Sequence, residues 1–127
     1  MDLFVRPGTT LEKKQEILHA FYRAELKKLI PDLLDKWQPI LGVTASAWGI
    51  KRMKTKWGTC NFKARRIWLN VELAKKPVQC LEYILVHELT HLLNRHHNER
   101  FTRLLDQHLP QWRALREDLN GSVLAEF

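Results

Sequence analysis

At 127 residues the chain has the size of one domain, taken as residues 1–127, with no room for a second core. A hydrophobic fraction of 45% excludes a disordered chain, and no apolar run reaches the roughly 18–20 residues that cross a bilayer. The net charge of +7 is local: Lys51, Arg52, Lys54, Lys56, Lys63, Arg65 and Arg66 form an acid-free stretch whose seven cations equal the whole excess. Such a stretch attracts polyanions such as nucleic acid or nucleotide phosphates, or else serves as a solvated basic hairpin. The N-terminus, MDLFVRPGTTLEKK, shows no basic region followed by an apolar stretch, so no signal peptide is expected. With Cys60 and Cys80 as the only cysteines, no disulfide framework is needed and a cytoplasmic location is expected.

In chain order, a first helix is expected to start near Thr9, with Glu12 as its capping-box partner. Leu11, Leu18, Phe21, Tyr22, Leu29, Leu33 and Trp37 recur at helical spacing along it. Pro31 is expected to interrupt or kink it after Ile30, and Gly42 to end it. From Thr44 to Lys54 and from Arg66 to Val71 the helical period disappears and β-branched and aromatic residues take over. A small sheet of two to four strands is expected there, including a hairpin through the basic stretch. Pro77 suits the first position of the next helix, which runs to about Asn94 with Leu81, Ile84, Leu85, Glu88, Leu92 and Leu93 along one face. A polar turn follows at 95–98, then a short helix with Phe101, Leu104 and Leu105. Pro110 is expected to open a last helix that stops at Gly121.

The chemistry concentrates in His87-Glu88-Leu89-Thr90-His91. Side chains four apart on a helix stand one above the other, so His87 and His91 can share one metal ion. Zinc suits imidazole donors, and a catalytic zinc takes three protein ligands and a water. Glu88, on the flank of the same face, can take a proton from that water. Two imidazoles and a carboxylate inside a strongly apolar helix are costly without such partners. For the third ligand the candidates are His96, His97, His108, Glu99 and Asp106. His97 is preferred, because a turn at Arg95-His96 would present the start of the next helix to the metal, with Asn98 as its cap; His96 is the rival. His19 and His108 read as packing or surface residues. Cys60 reads as a small buried hydrophobe rather than a ligand.

The run from Met53 to about Gly121 resembles the YgjP-like metal-dependent hydrolases, relatives of the SprT-like zincins. The matching pieces are Lys54-Thr55-Lys56-Trp57-Gly58-Thr59-Cys60, Ile67-Trp68-Leu69-Asn70, Val86-His87-Glu88-Leu89-Thr90-His91-Leu92 and His97-Asn98-Glu99-Arg100-Phe101. The helical segment from Leu11 to Leu41 is also similar. The resemblance implies one catalytic zinc held by His87, His91 and His97, with Glu88 as base. It also implies an α+β fold, a zincin-like domain of minimal gluzincin type with a short sheet beside the active-site helix and helices at both ends. The family's usual Ser is Thr59 here, and longer members carry an additional N-terminal β-rich segment.

The expected function is that of a zinc-dependent hydrolase, first of all a metallopeptidase. One alternative is a nucleotide phosphoanhydride hydrolase, suggested by the Lys51–Arg66 stretch. Another is a SprT-like protease associated with nucleic acid. The strand from Ile67 to Asn70 is a candidate edge over the cleft, where an extended substrate pairs by main-chain hydrogen bonds. His96 and Tyr83 are candidates for stabilising an oxyanion.

Overall fold

A computed structural model describes residues 10–121. The first helix, α1, spans Leu11–Leu41. Thr10 caps it, its hydroxyl accepting from the Lys13 N–H at 3.2 Å; the expected cap, Thr9, lies outside the described residues. Pro31 and Pro39 both lie inside this one helix, so the expected break after Ile30 does not occur. Leu26, Ile30, Leu34, Trp37 and Leu41 form a buried stripe that runs past Pro31 on both sides. Packing of that stripe against α2 outweighs the single hydrogen bond the proline removes. The buried face is also rotated from the expected one: Leu11 is 70% and Leu29 40% exposed. Gly42, at φ 71°, closes the helix in the left-handed region and donates its N–H to Gln38 O at 2.9 Å.

Strands β1 (Ala47–Lys51), β2 (Gly58–Asn61) and β3 (Arg66–Asn70) form one sheet in the order β1-β3-β2. β1 runs parallel to β3 with Trp48 opposite Ile67, and β2 and β3 form an antiparallel hairpin with Cys60 opposite Ile67. The hairpin turn uses Arg65 at φ 55° and an Asn61 side chain that accepts from the Ala64 N–H at 3.0 Å. β3 is therefore the central strand, and the edge beside the cleft is β2, not the Ile67–Asn70 strand. Periodicity identifies a buried strand but not its neighbours; here the parallel pairing of β1 puts β3 inside.

A 3-10 turn at Val71–Lys75 leads to α2 (Val78–Thr90), with Pro77 as the residue before the helix. α2 is the centre of the molecule: from Cys80 to Thr90 every residue but Glu82 is buried. Glu82 ties it to α1, accepting from Trp37 Nε1 at 2.7 Å and Lys36 Nζ at 2.8 Å. After α2, turns carry the chain to α3 (Glu99–His108) and α4 (Trp112–Asn120). Pro110 sits in the turn before α4 rather than at its first position. The core joins α1, the inner sheet face, α2, Phe101, Leu105, Trp112 and Leu119 in one cluster. Among the described residues no helix is long and apolar enough to cross a membrane.

Candidate active site

His87 and His91 stand on the last turn of α2 and the residue that closes it. The chain then reverses through residues 92–98, and Asn98 caps α3 by accepting from the Phe101 N–H at 3.2 Å. Asn94 braces the turn, donating to Asn98 Oδ1 at 2.7 Å and to His96 O at 3.0 Å. This fold-back brings His97 to the other two imidazoles, with its Nε2 2.8 Å from His91 Nε2. One donor atom from each of His87, His91 and His97 lies within 4.8 Å of the others. Phe101 forms an apolar backing, with its ring centroid 5.0, 4.6 and 4.8 Å from those of His87, His91 and His97.

These residues fit a zinc ion by their chemistry. Burial holds His87 down to about 3, with Arg116 adding to the effect, and burial also lowers His91 and His97. All three imidazoles are thus kept in the neutral form that ligates metal. His91 Nδ1 lies 3.0 Å from Arg95 O, which fixes the proton on that nitrogen and leaves Nε2 as a donor. Nitrogen donors around one tetrahedral zinc stand about 3.3 Å apart. The three histidines bracket that spacing. No fourth His, Cys or carboxylate joins the group among the described residues, which leaves a position for water or substrate.

Glu88 is 2% exposed, and its Oε2 lies 3.1 Å from His87 Nδ1. Burial pushes its carboxyl up to about 7, against the pull of His91, His97 and Lys56. Gly58 makes room for it. A Cβ at that position would lie 2.7 Å from Ile84 Cγ2 and 3.2 Å from both Cγ and Oε2 of Glu88. The glycine of the Trp57-Gly58 pair therefore lets β2 lie directly on α2. Asn70, also fully buried, holds the loop that enters β2. Its Nδ2 donates to Met53 O and Lys56 O, both at 2.8 Å, and its Oδ1 accepts from the Glu72 N–H at 3.0 Å. Its place beside the strand motif was visible in the sequence, but this bracing role was not.

The histidines and Glu88 form the floor of an open cleft of about 850 Å³, walled by β2 and the hairpin turn. The Asn70 N–H donates to Trp57 O at 2.9 Å. By the antiparallel alternation, the N–H and C=O groups of Gly58 and Cys60 then point to the free edge of β2. Cys60 lines this cleft half-buried, its thiol pushed up to about 11 by burial and then by Glu88, and it is not among the clustered donors.

The other third-ligand candidates lie elsewhere. His96 is exposed in the turn and Glu99 is exposed in the first turn of α3. Asp106 accepts from Trp112 Nε1 at 2.8 Å and Arg113 Nη1 at 2.6 Å, joining α3 to α4. His108 packs edge-on against Trp37 at 6.4 Å, and His19 lies 3.8 Å from Glu72. Of the oxyanion candidates, neither Tyr83 nor His96 lines the cleft. Tyr83 is buried behind His87, edge-on at 5.9 Å, and stacks on Trp112. The basic stretch is divided by the hairpin. Lys56 and Lys63 line the cleft, whereas Lys51 Nζ and Arg66 Cζ lie 4.6 and 5.8 Å from the Trp68 ring.

No curated protein matches the chain. Among solved structures, the metallopeptidase zymogen abylysin of Pyrococcus abyssi is similar with a TM-score of 0.69 at 23% identity, covering 77% of this chain and 99% of that one. The metallopeptidase zymogen jannalysin of Methanocaldococcus jannaschii is similar with a TM-score of 0.61 at 24% identity, covering 71% of this chain and 92% of that one. The α+β fold, with four α-helices and a three-stranded sheet among the described residues, is thus similar to that of these two metallopeptidases. The model of the YgjP-like, metallopeptidase domain family matches residues 1–122, nearly the whole chain, and this protein belongs to that family.

Proposed function

We propose that this protein is a zinc-dependent peptidase in which His87, His91 and His97 hold the ion and Glu88 is the general base. The observation that carries this reading is the convergence of three neutral imidazoles and a buried carboxyl on the floor of a cleft open along a strand edge. When bound, zinc supplies Lewis acidity, acidifying water and polarising the scissile carbonyl. Glu88 supplies the proton acceptor, since a carboxyl raised to about 7 sits where proton uptake and release are both accessible near neutral pH. It takes a proton from the attacking water and returns it to the leaving amine. The free backbone groups of Gly58 and Cys60 orient an extended polypeptide along β2 by strand addition. Phe101 excludes water from the back of the imidazoles and fixes their rings.

The test is cleavage of casein and unfolded peptides by zinc-loaded protein, with Glu88→Gln as the control. Zinc-dependent cleavage lost in the variant supports the reading; equal, absent cleavage in both proteins overturns it. A second reading, hydrolysis of a nucleotide phosphoanhydride, is favoured by Lys56, Lys63 and Arg95 in the cleft wall. Release of phosphate or pyrophosphate from a nucleoside triphosphate by zinc-loaded protein tests it.

A further inference from the structure

The cleft has a strongly one-sided charge. Its wall carries Lys56, Lys63 and Arg95, and among the described residues the one acid lining it is Glu88, which is committed to the floor. Lys56 precedes β2 at the Gly58 end, and Lys63 follows β2 in the hairpin turn. Arg95 reaches the same far end from the turn after α2, where its guanidinium lies 5.6 Å from the Phe62 ring. Phe62 is an exposed aromatic that holds the long side chain over the cleft rather than out in solvent. β2 is four residues long, and an extended strand rises about 3.3 Å per residue, so the cations stand at both ends of a groove roughly 13 Å long. Arg116 on α4 adds positive potential at His87 and His97 from behind.

We infer that this cleft selects polypeptide segments with acidic side chains on both sides of the cleaved bond, and that Lys56, Lys63 and Arg95 are the specificity-determining residues. The inference rests on the peptidase reading and names its substrate class. Cations gathered at one point would suit a triphosphate. Cations spread along a free strand edge suit carboxylates carried at intervals on an extended chain, because each meets one without bending the backbone out of the strand pairing. The same charges repel basic segments, so discrimination comes from both attraction and repulsion.

The experiment compares matched peptides, one with Asp and Glu flanking the cleaved bond and one with Lys in the same places. Wild-type zinc-loaded protein is expected to prefer the acidic peptide by roughly tenfold or more in kcat/KM, mainly through KM, with the gap narrowing at about 0.5 M salt. The triple variant Lys56→Glu, Lys63→Glu, Arg95→Glu is expected to reverse the order. All three side chains are exposed, so bound zinc and the melting temperature serve as folding controls; Lys63→Gln alone should reduce the preference without reversing it. Fluorescence anisotropy on Glu88→Gln protein measures peptide binding without cleavage and should show the same order. Equal affinity for both peptides, or an acidic preference that survives the triple variant, overturns the inference. So does a nucleoside triphosphate that displaces the acidic peptide at lower concentration than a second acidic peptide does. If wild-type protein cuts no peptide while the Glu88→Gln protein still binds the acidic one selectively, the peptidase reading falls and the selectivity stands.

Discussion

Helix α2 and the β2–β3 hairpin enclose the same cleft under opposite constraints. The helix holds His87 and Glu88 buried against the apolar core, where polar groups are costly without partners. The hairpin carries Lys63 and Arg66 on exposed side chains, where water solvates them whatever they face. Chemistry that depends on shifted protonation belongs on the buried element, and selection among substrates belongs on the exposed one. Substitutions on the helix should therefore act on turnover and stability together, and those on the hairpin should act on substrate choice with the fold intact.

The sharpest way to break this contrast is Glu88→Gln. It should lower kcat by at least about 10²–10⁴-fold, with zinc content unchanged by elemental analysis. Retained turnover would mean that the buried carboxyl is not the base.

Next in size is the pH dependence of the metal-free protein. His87 falls from an ordinary 6.5 to about 3 in the folded state, so its contribution to stability is complete above pH 6.5 and lost as pH falls toward 3. Glu88 rises from 4.5 to about 7, so its contribution is complete below pH 4.5 and lost as pH rises toward 7. Between pH 6.5 and 4.5 the two oppose each other and stability should change little, whereas below 4.5 it should fall. In Glu88→Gln the plateau should vanish and stability should fall from pH 6.5 downward. Thermal unfolding in chelator across this range reads both curves, and a plateau that persists in the variant would contradict the assignment.

The two elements meet at Gly58, so Gly58→Ala should produce both kinds of effect. Its methyl group must displace Ile84 and Glu88, with an expected cost of about 1–3 kcal/mol in urea unfolding and a reduced kcat. Asn70→Ala should cost a similar or smaller amount, about 1–3 kcal/mol, because Met53 O and Lys56 O lose their donor. It should also raise KM more than it lowers kcat, since it loosens the loop that carries Lys56 and leaves Glu88 in place. Lys51→Ala, on the sheet beside Trp68, should change stability by no more than about 0.5 kcal/mol and leave peptide preference as it was.

How much could be read in advance differs from element to element. The juxtaposition of His87 and His91 was legible because it is local: helical geometry alone puts residues four apart on one face. Gly42 as a helix stop was legible for the same reason, since the left-handed position favours glycine whatever surrounds it. Pro31 misled because its local cost is small beside the packing of a stripe that continues past it. The edge of the sheet was misplaced because strand order depends on β1, which pairs with β3 rather than with β2, the next strand in sequence. Tyr83 read as a candidate for stabilising an oxyanion, yet tertiary packing buries it between His87 and Trp112.

The amino-acid sequence by itself determined the helical face on which the first two imidazoles stand with the carboxyl beside them, and the concentration of positive charge between Lys51 and Arg66, because both are properties of near neighbours along the chain. Only the tertiary structure decided which histidine joins them, which strand lies open beside them, and which of the cations look into the cleft. The fold-back at residues 92–98, braced by Asn94 and Asn98, sets the first of these, and the pairing of β1 with β3, strands distant in sequence, sets the strand order behind the other two.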